Sequence, residues 1–349
     1  MGSARNTDSA YSSRISRLPV WLHWLDADAS QQLAQQNSAQ SKASTKLSRY
    51  IPFLFLHSGI LLVFVTGFSW TAFLICAVLY WLRMFAITGF YHRYFSHRTF
   101  KTSRTFQFIM ACIGLTSVQR GPLWWAAHHR QHHPHSDTEK DIHSPNQGLW
   151  WSHIGWIASE SNMPTQYCRI KDFARFPELR FLNRFDWLGP LVLSVLLYGL
   201  GEWINLGSTG LPKDWQTNGL QLLTWGFFVS SILLFHATCT INSLSHVFGA
   251  QRYSTKDNSK NNWMLAIITM GEGWHNNHHF YPNAVRQGFF WWEFDLTYYL
   301  LRAMAALGLV WDLTPVPERI KSAAATTTAS NYAPAAKRFY VSRKVVQPS

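Results

Sequence analysis

The chain has 349 residues, of which 47% are hydrophobic and only 14% charged, with 18 Trp, 24 Phe and 13 Tyr; soluble domains carry about a quarter charged residues, so an ordinary water-soluble globule is excluded. A formal charge of +13 set among long apolar runs points to anionic lipid or an anionic substrate rather than nucleic acid. The mean hydropathy of −0.09 is too low for a chain that is all bilayer span, and the four cysteines make no CxxC pair, so a polar part outside the membrane is expected and a disulfide framework is not.

Residues 1–48 are polar and rich in Gln, Ser and Ala. They lack a signal-peptide design, and Asn6 stands where myristoylation needs Ser or Thr, so they read as a cytoplasmic lead. A membrane domain follows over residues 49–315. Its spans, about 51–70, 71–90, 187–206 and 220–241, each hold the roughly 20 apolar residues that cross a core of about 30 Å. The turn at 67–71 makes a tight hairpin of the first two, and the Gly-rich stretch 201–219 makes another of the last two. The apolar stretches 106–118 and 296–313 are too short to span and read as interfacial helices. Residues 316–349 form a basic tail of disordered composition.

Lys46 and Arg49 precede the first span; Arg93, Arg98, Lys101 and Arg104 follow the second; Arg180 and Arg184 precede the third; and Arg252 follows the fourth. The two short turns carry Lys213 as their one base. Basic flanks stay inside, which places both termini and the long loops in the cytoplasm. The cap bases Arg120, Lys171, Arg175 and Arg180 are available to an anionic head.

Ten of the 16 histidines fall in four compact groups: His92 with His97, His128-His129 with His132-His133, His246 alone after Asn242, and His275 with His278-His279. An even number of crossings separates the groups, so all share one face of the membrane. Positions i, i+3 and i+4 of a helix lie on one side, so His275, His278 and His279 are expected to converge on one site, and His129, His132 and His133 likewise. His128 is an alternative to His129. So many imidazoles without thiolate suit two borderline metals rather than calcium or an iron–sulfur cluster. Asp137, Glu139, Asp141 and Glu272 are available to orient the rings. His57, His153 and His236 read as packing residues, and His135 and His143 as loop or supporting residues.

The patterns His92-x4-His97, His129-x2-His132-His133 and His275-x2-His278-His279 resemble the three histidine boxes of the membrane fatty-acyl desaturases. Gly89-Phe90-Tyr91-His92-Arg93 and Gly271-Glu272-Gly273-Trp274-His275 are similar to the Δ9 acyl-CoA branch, in a bacterial-type sequence. The resemblance implies an all-α integral membrane fold of four transmembrane helices with a cytosolic helical cap. It implies two Fe ions held by His92, His97, His129, His132, His133, His246, His275, His278 and His279, with Asn242 acting through a water, and O2 as co-substrate. The implied reaction is oxygen-dependent desaturation of a saturated fatty-acyl chain, as acyl-CoA at Δ9. Alternatives are an acyl-lipid desaturase or a membrane di-iron hydroxylase, with a metal transporter ranked behind them.

Without a His-Pro-Gly-Gly haem signature, electrons are expected from a separate donor such as ferredoxin, cytochrome b5 or a reductase. A bacterial inner membrane is favoured over the endoplasmic reticulum. Ala127-His128 stand where animal acyl-CoA desaturases carry an Arg-Asp pair that contacts CoA, which leaves the acyl carrier open.

Overall fold

The computed structural model describes residues 25–28, 47–207 and 210–328; His23, nearly all of the expected lead and the end of the expected tail lie outside them. The first apolar stretch forms α1, Ile51–Thr66. It stops short of the expected residue 70 because Gly67 turns the chain at φ +67°, a left-handed conformation that costs glycine little. Ser69 then caps α2, Trp70–Ser96, by accepting from Ala72 N at 3.1 Å. α2 passes the expected end at residue 90 because its last segment, Ala86–Ser96, winds as a π-helix and is buried throughout.

The cap begins with β1, Lys101–Thr102, followed by α3, Arg104–Leu115, α4, Pro122–His135, and α5, Pro177–Arg184. α6, Leu188–Gly207, and α7, Gly219–His246, form the second hairpin. There Gly201 packs so closely that a Cβ would lie 2.5 Å from Asn218 O. The chain returns to the cap with α8, Trp263–Ile268, α9, His275–Phe280, and α10, Leu296–Ala306. The expected interfacial stretch 296–313 is divided, because Gly308 at φ +72° ends the helix. Val310–Trp311 then pairs antiparallel with β1 as β2. Residues 318–328, expected within the disordered tail, are helical as α11, Glu318–Thr328, with Ile320 packed against the cluster formed by Tyr253, Ala284 and Phe289.

Among the described residues three helices, α2, α6 and α7, are long and apolar enough to cross a membrane, while α1 is apolar but shorter. α1 lies along α7 through the Phe53–Phe235 contact, with centroids 5.4 Å apart. Arg83 of α2 is buried against α7, donating to Ser231 Oγ at 2.8 Å, to Ser230 Oγ and to Thr116 O at 3.1 Å; satisfied donors are what make a guanidinium tolerable at lipid depth. The main core joins Phe90, Tyr91 and Phe95 of α2 to Ala127 of α4, Leu179 of α5 and Leu301 of α10. That packing brings the C-terminal ends of α2 and α7 against α4 and α9.

Candidate metal centre

The spacing of His92 and His97 is that of one π-turn. His97 N donates to His92 O, five residues back, at 3.2 Å, and the two rings stand 4.9 Å apart. Arg130 then fixes α4 against this end of α2. It donates to Phe95 O at 2.6 Å and Ser96 O at 3.0 Å and holds both Asp172 oxygens at 2.9 Å. On α9 the two asparagines between the histidines face away from the site. Asn276 Oδ1 accepts from Arg252 N at 2.8 Å and Tyr253 N at 2.7 Å, and Asn277 Nδ2 donates to Glu293 at 2.9 Å. They lock the helix to its loops and leave its other side to His275, His278 and His279.

The nine histidines form two groups. His92, His97, His129, His133 and His278 make one, and His132, His246, His275 and His279 the other, with ring nitrogens within 4.8 Å of one another in each. Neither H-x-x-H-H box converges on a single site, contrary to the sequence expectation. Within each box the i and i+4 residues share a group and the i+3 residue joins the other. The His275–His279 rings lie 4.3 Å apart and His129–His133 4.7 Å, against 6.1 Å for both His275–His278 and His129–His132. The reason is helical: i+3 and i+4 project about 100° apart and cannot meet one small ion.

In the five-histidine group the Nε2 atoms form a run: His92 to His278 at 3.0 Å, His278 to His133 at 3.0 Å, His133 to His129 at 3.0 Å and His129 to His97 at 2.8 Å. A ring nitrogen carries one proton or one lone pair. His278, His133 and His129 each stand between two neighbours, so hydrogen bonds cannot satisfy the run. A cation can accept every lone pair: imidazole–metal bonds of about 2.1 Å at right angles put neighbouring nitrogens about 3.0 Å apart. The donor set therefore fits a metal ion. In the second group His246 and His275 approach at 3.0 Å, and His279 Nε2 is buried with no hydrogen-bond partner among the described residues.

Carboxylates set the tautomers. Glu272 faces His92 Nδ1, Asp141 Oδ1 accepts from His132 Nδ1 at 3.0 Å, Asp137 Oδ2 from His246 Nδ1 at 3.0 Å, and Asp257 Oδ2 from His279 Nδ1 at 2.7 Å. A proton held on Nδ1 leaves Nε2 as a donor atom for metal. Burial, followed by the neighbouring histidines, pushes His97, His129, His133, His275 and His278 well below the ordinary imidazole range, so these rings are neutral at pH 7. Burial alone would raise Asp141, but His143 and His132 hold it low; Asp257 is likewise held low by His279.

Of the four expected orienting carboxylates, Glu139 is exposed while the other three meet histidines. Asp257, on the loop after α7, carries no sequence signal and emerges from the fold alone. Gln287, 3.2 Å from His92 Nδ1 and 3.0 Å from Glu272, is a second such residue. His128 turns away from both groups, donating to Trp124 O at 2.8 Å and lying on the Trp124 ring. His143 sits 3.7 Å from Asp141, and His135 joins neither group. His57, His236 and His153 form a separate string with contacts of 3.0 and 2.9 Å.

Asn242 lines a void of about 30 Å³ with His92, His129, His132, His275 and Glu272. It also lines a larger cavity of about 490 Å³, with Trp125 and His129 beside it and Phe235 and Phe227 further along α7. The rise of a helix places Phe227 about 22 Å from Asn242. The cavity is thus long, apolar and open to the histidines at one end.

The sequence matches the fatty acid desaturase family over residues 68–314. The chain belongs to that family. It is 37% identical over 260 residues to the sn-1 stearoyl-lipid 9-desaturase of Anabaena variabilis, covering 74% of this chain and 89% of the relative. With the sn-2 palmitoyl-lipid 9-desaturase of Nostoc sp. (strain 36) it shares 36% over 258 residues, 72% and 84% of the two chains. An acyl-CoA 5-desaturase of Anemone leveillei is 35% identical over 257 residues, covering 72% of this chain and 74% of that one. The family match takes in α2 to α10 and all nine clustered histidines. The protein is accordingly a membrane oxidoreductase of the fatty acid desaturase family, all-α in fold.

Proposed function

We propose that the protein desaturates a saturated fatty-acyl chain at the Δ9 position, consuming O2 at a di-iron centre held by the nine histidines, with Asn242 contributing through a water. The observation that carries this reading is the pairing of two groups of metal-ready imidazoles with a cavity shaped for an extended chain. An unactivated C–H bond offers no proton to a side-chain base, so the oxidising power has to come from O2, which two irons held by these histidines would activate. The reaction takes one hydrogen from each of two adjacent methylenes and leaves a cis double bond. The O2 leaves as two waters, using two electrons from a separate donor and two protons.

The protein's own part is placement. Trp125 and the α7 side chains Phe235 and Thr238 line the cavity, holding the chain extended and excluding water while one C–C bond lies beside the histidines. The carboxylate-fixed tautomers keep the ligand nitrogens aimed inward without reorganisation. Basic flanks on the cap side support a cytoplasmic cap.

The test is expression in cells that lack desaturases, with iron and a reductase supplied, followed by fatty-acid analysis. Appearance of Δ9 cis-monounsaturated chains is the expected result, and their loss in His278→Ala should accompany loss of bound iron. A hydroxylated chain without any alkene would sink the desaturase reading.

A further inference from the structure

A second gathering of histidines lies away from the metal centre, where three elements meet. His57 comes from α1, His236 from α7 and His153 from the π-turn Trp151–Gly155 of the cap. All three are half-buried. They stand beside a small core of Ile154, Phe235 and Cys239, against which Phe53 and Tyr50 pack. Tyr50 and Cys239 are the other titratable side chains of that core.

The rings meet one after another through both nitrogens. His57 Nδ1 donates to Phe53 O at 2.7 Å, and His57 Nε2 lies 3.0 Å from His236 Nε2. His236 Nδ1 lies 2.9 Å from His153 Nε2, and His153 Nδ1 2.9 Å from Ser243 Oγ. In the five-histidine group one nitrogen meets two neighbours, which calls for a cation. Here each nitrogen has its own neighbour, and protons alone complete the string.

Four contacts involve a ring nitrogen, and each needs one proton between its two atoms. Three neutral imidazoles bring three. In one arrangement the Ser243 hydroxyl turns to His153 Nδ1 and supplies the fourth. In the other a fourth proton sits on the rings, His153 Nδ1 donates to Ser243 Oγ, and Ser243 donates to Cys239 O at 2.9 Å. Every ring nitrogen is satisfied in both. The string therefore accepts and releases one proton through the rotation of a single hydroxyl.

The Ser243 end of the string is next to the chemistry. Ser243 directly follows Asn242, and Asn242 lines the void of about 30 Å³ with His92, His129, His132 and His275. A polar void of that size takes about one or two waters. The rings at the other end are half-exposed, so protons lost at Ser243 are replaced there.

We propose that the His57–His236–His153 string is a proton relay for O2 reduction at the metal centre, passing protons through Ser243 to the void. This rests on the desaturase reading above. O2, two substrate hydrogens, two electrons from the donor and two protons give two waters, so the string empties and refills twice per turnover. In each passage the Ser243 O–H bond breaks toward the void and is re-formed with the proton of His153 Nδ1. No electron moves along the string.

The first test reads the protons themselves. Nitrogen-15 NMR of the full-length protein in vesicles, with labelled histidine at about pH 8, should find the neutral string protonated at His57 Nδ1, His236 Nε2 and His153 Nε2. A proton on His236 Nδ1 or His153 Nδ1 in the neutral state overturns the relay.

The second test uses the iron-loaded protein in vesicles with a ferredoxin and its reductase, offered both stearoyl-CoA and distearoylphosphatidylglycerol. His236→Gln interrupts the string. It is expected to lower alkene formation about tenfold or more and to raise the peroxide released per O2 consumed, with iron content and Tm at the parent values. His153→Gln takes its place if the first variant does not fold. A folded, iron-replete variant with the parent's turnover and peroxide yield overturns the relay.

In His153→Ala, added imidazole should restore turnover, and pyrazole, of the same shape but a far weaker base, should not. Equal rescue by both would reduce His153 to filling space and remove the relay. A parent that forms no alkene from either substrate, with iron bound, removes the desaturase reading. A wrong set of ring protons in a parent that does form alkene removes the relay alone.

Discussion

Arg93 and Glu272 form a buried ion pair at 3.2 Å, and the other oxygen of Glu272 faces His92 Nδ1. Arg93 is also held by Asp295 at 2.9 Å, and Asp295 in turn caps α10 by accepting from Tyr298 N at 3.0 Å. One guanidinium thus ties the orientation of a clustered histidine to the start of a helix in the cap. Burial alone would raise Glu272, but His92 and Arg93 hold it below the usual carboxylate range, so it is ionised and accepts from both.

Glu272→Gln keeps the shape but removes the charge that balances Arg93. Breaking a buried pair in this way costs about 3–5 kcal/mol, and loss of an orienting carboxylate costs about 10–100-fold in metal affinity. Both effects should appear, as a lower Tm and as lower metal content after dialysis. A variant that loses metal but keeps its Tm would mean that Arg93 relies on Asp295 alone.

The division of each histidine box makes a distinct prediction for single replacements. His278→Ala removes a donor from the five-histidine group and His275→Ala one from the four-histidine group. Each variant should therefore fall from two metal ions per chain to about one, measured by plasma emission against protein concentration. If His278→Ala empties both positions while His275→Ala empties neither, the two groups are not independent sites.

Asp257→Asn tests a residue that lies 22 positions before its partner His279. The amide can still meet Nδ1 but no longer dictates that the proton stays there. A loss of about 10–100-fold in metal affinity is expected, read by competition with a calibrated chelator. Asp214→Asn, distant from the histidines, serves as the control of equal charge change.

His128→Phe separates neighbours in one helix. His128 lies on Trp124 with its ring outside both histidine groups, so metal content should stay at the parent value while stability changes through the lost bond to Trp124 O. His129→Ala should lower the metal content. Equal metal loss in both would show that the His128 ring reaches the centre.

Much of this protein is local information. Long apolar runs define membrane helices wherever they occur, and imidazoles at short spacings announce metal chemistry without any fold, so the helical membrane class and the clustered histidines were readable from residues in order. Helix ends were less so. Gly67 cut the first stretch short, and the π-winding that carries α2 to Ser96 depends on burial of Phe90, Tyr91 and Phe95 in the cap core. What only the tertiary structure decided is the distribution of histidines between two groups, because periodicity says which residues share a face but not which of two facing partners each will meet. Here the 100° between i+3 and i+4 sends His278 toward His92 and His279 toward His132. Asp257 and Gln287 reach the rings from loops whose paths no periodic pattern encodes.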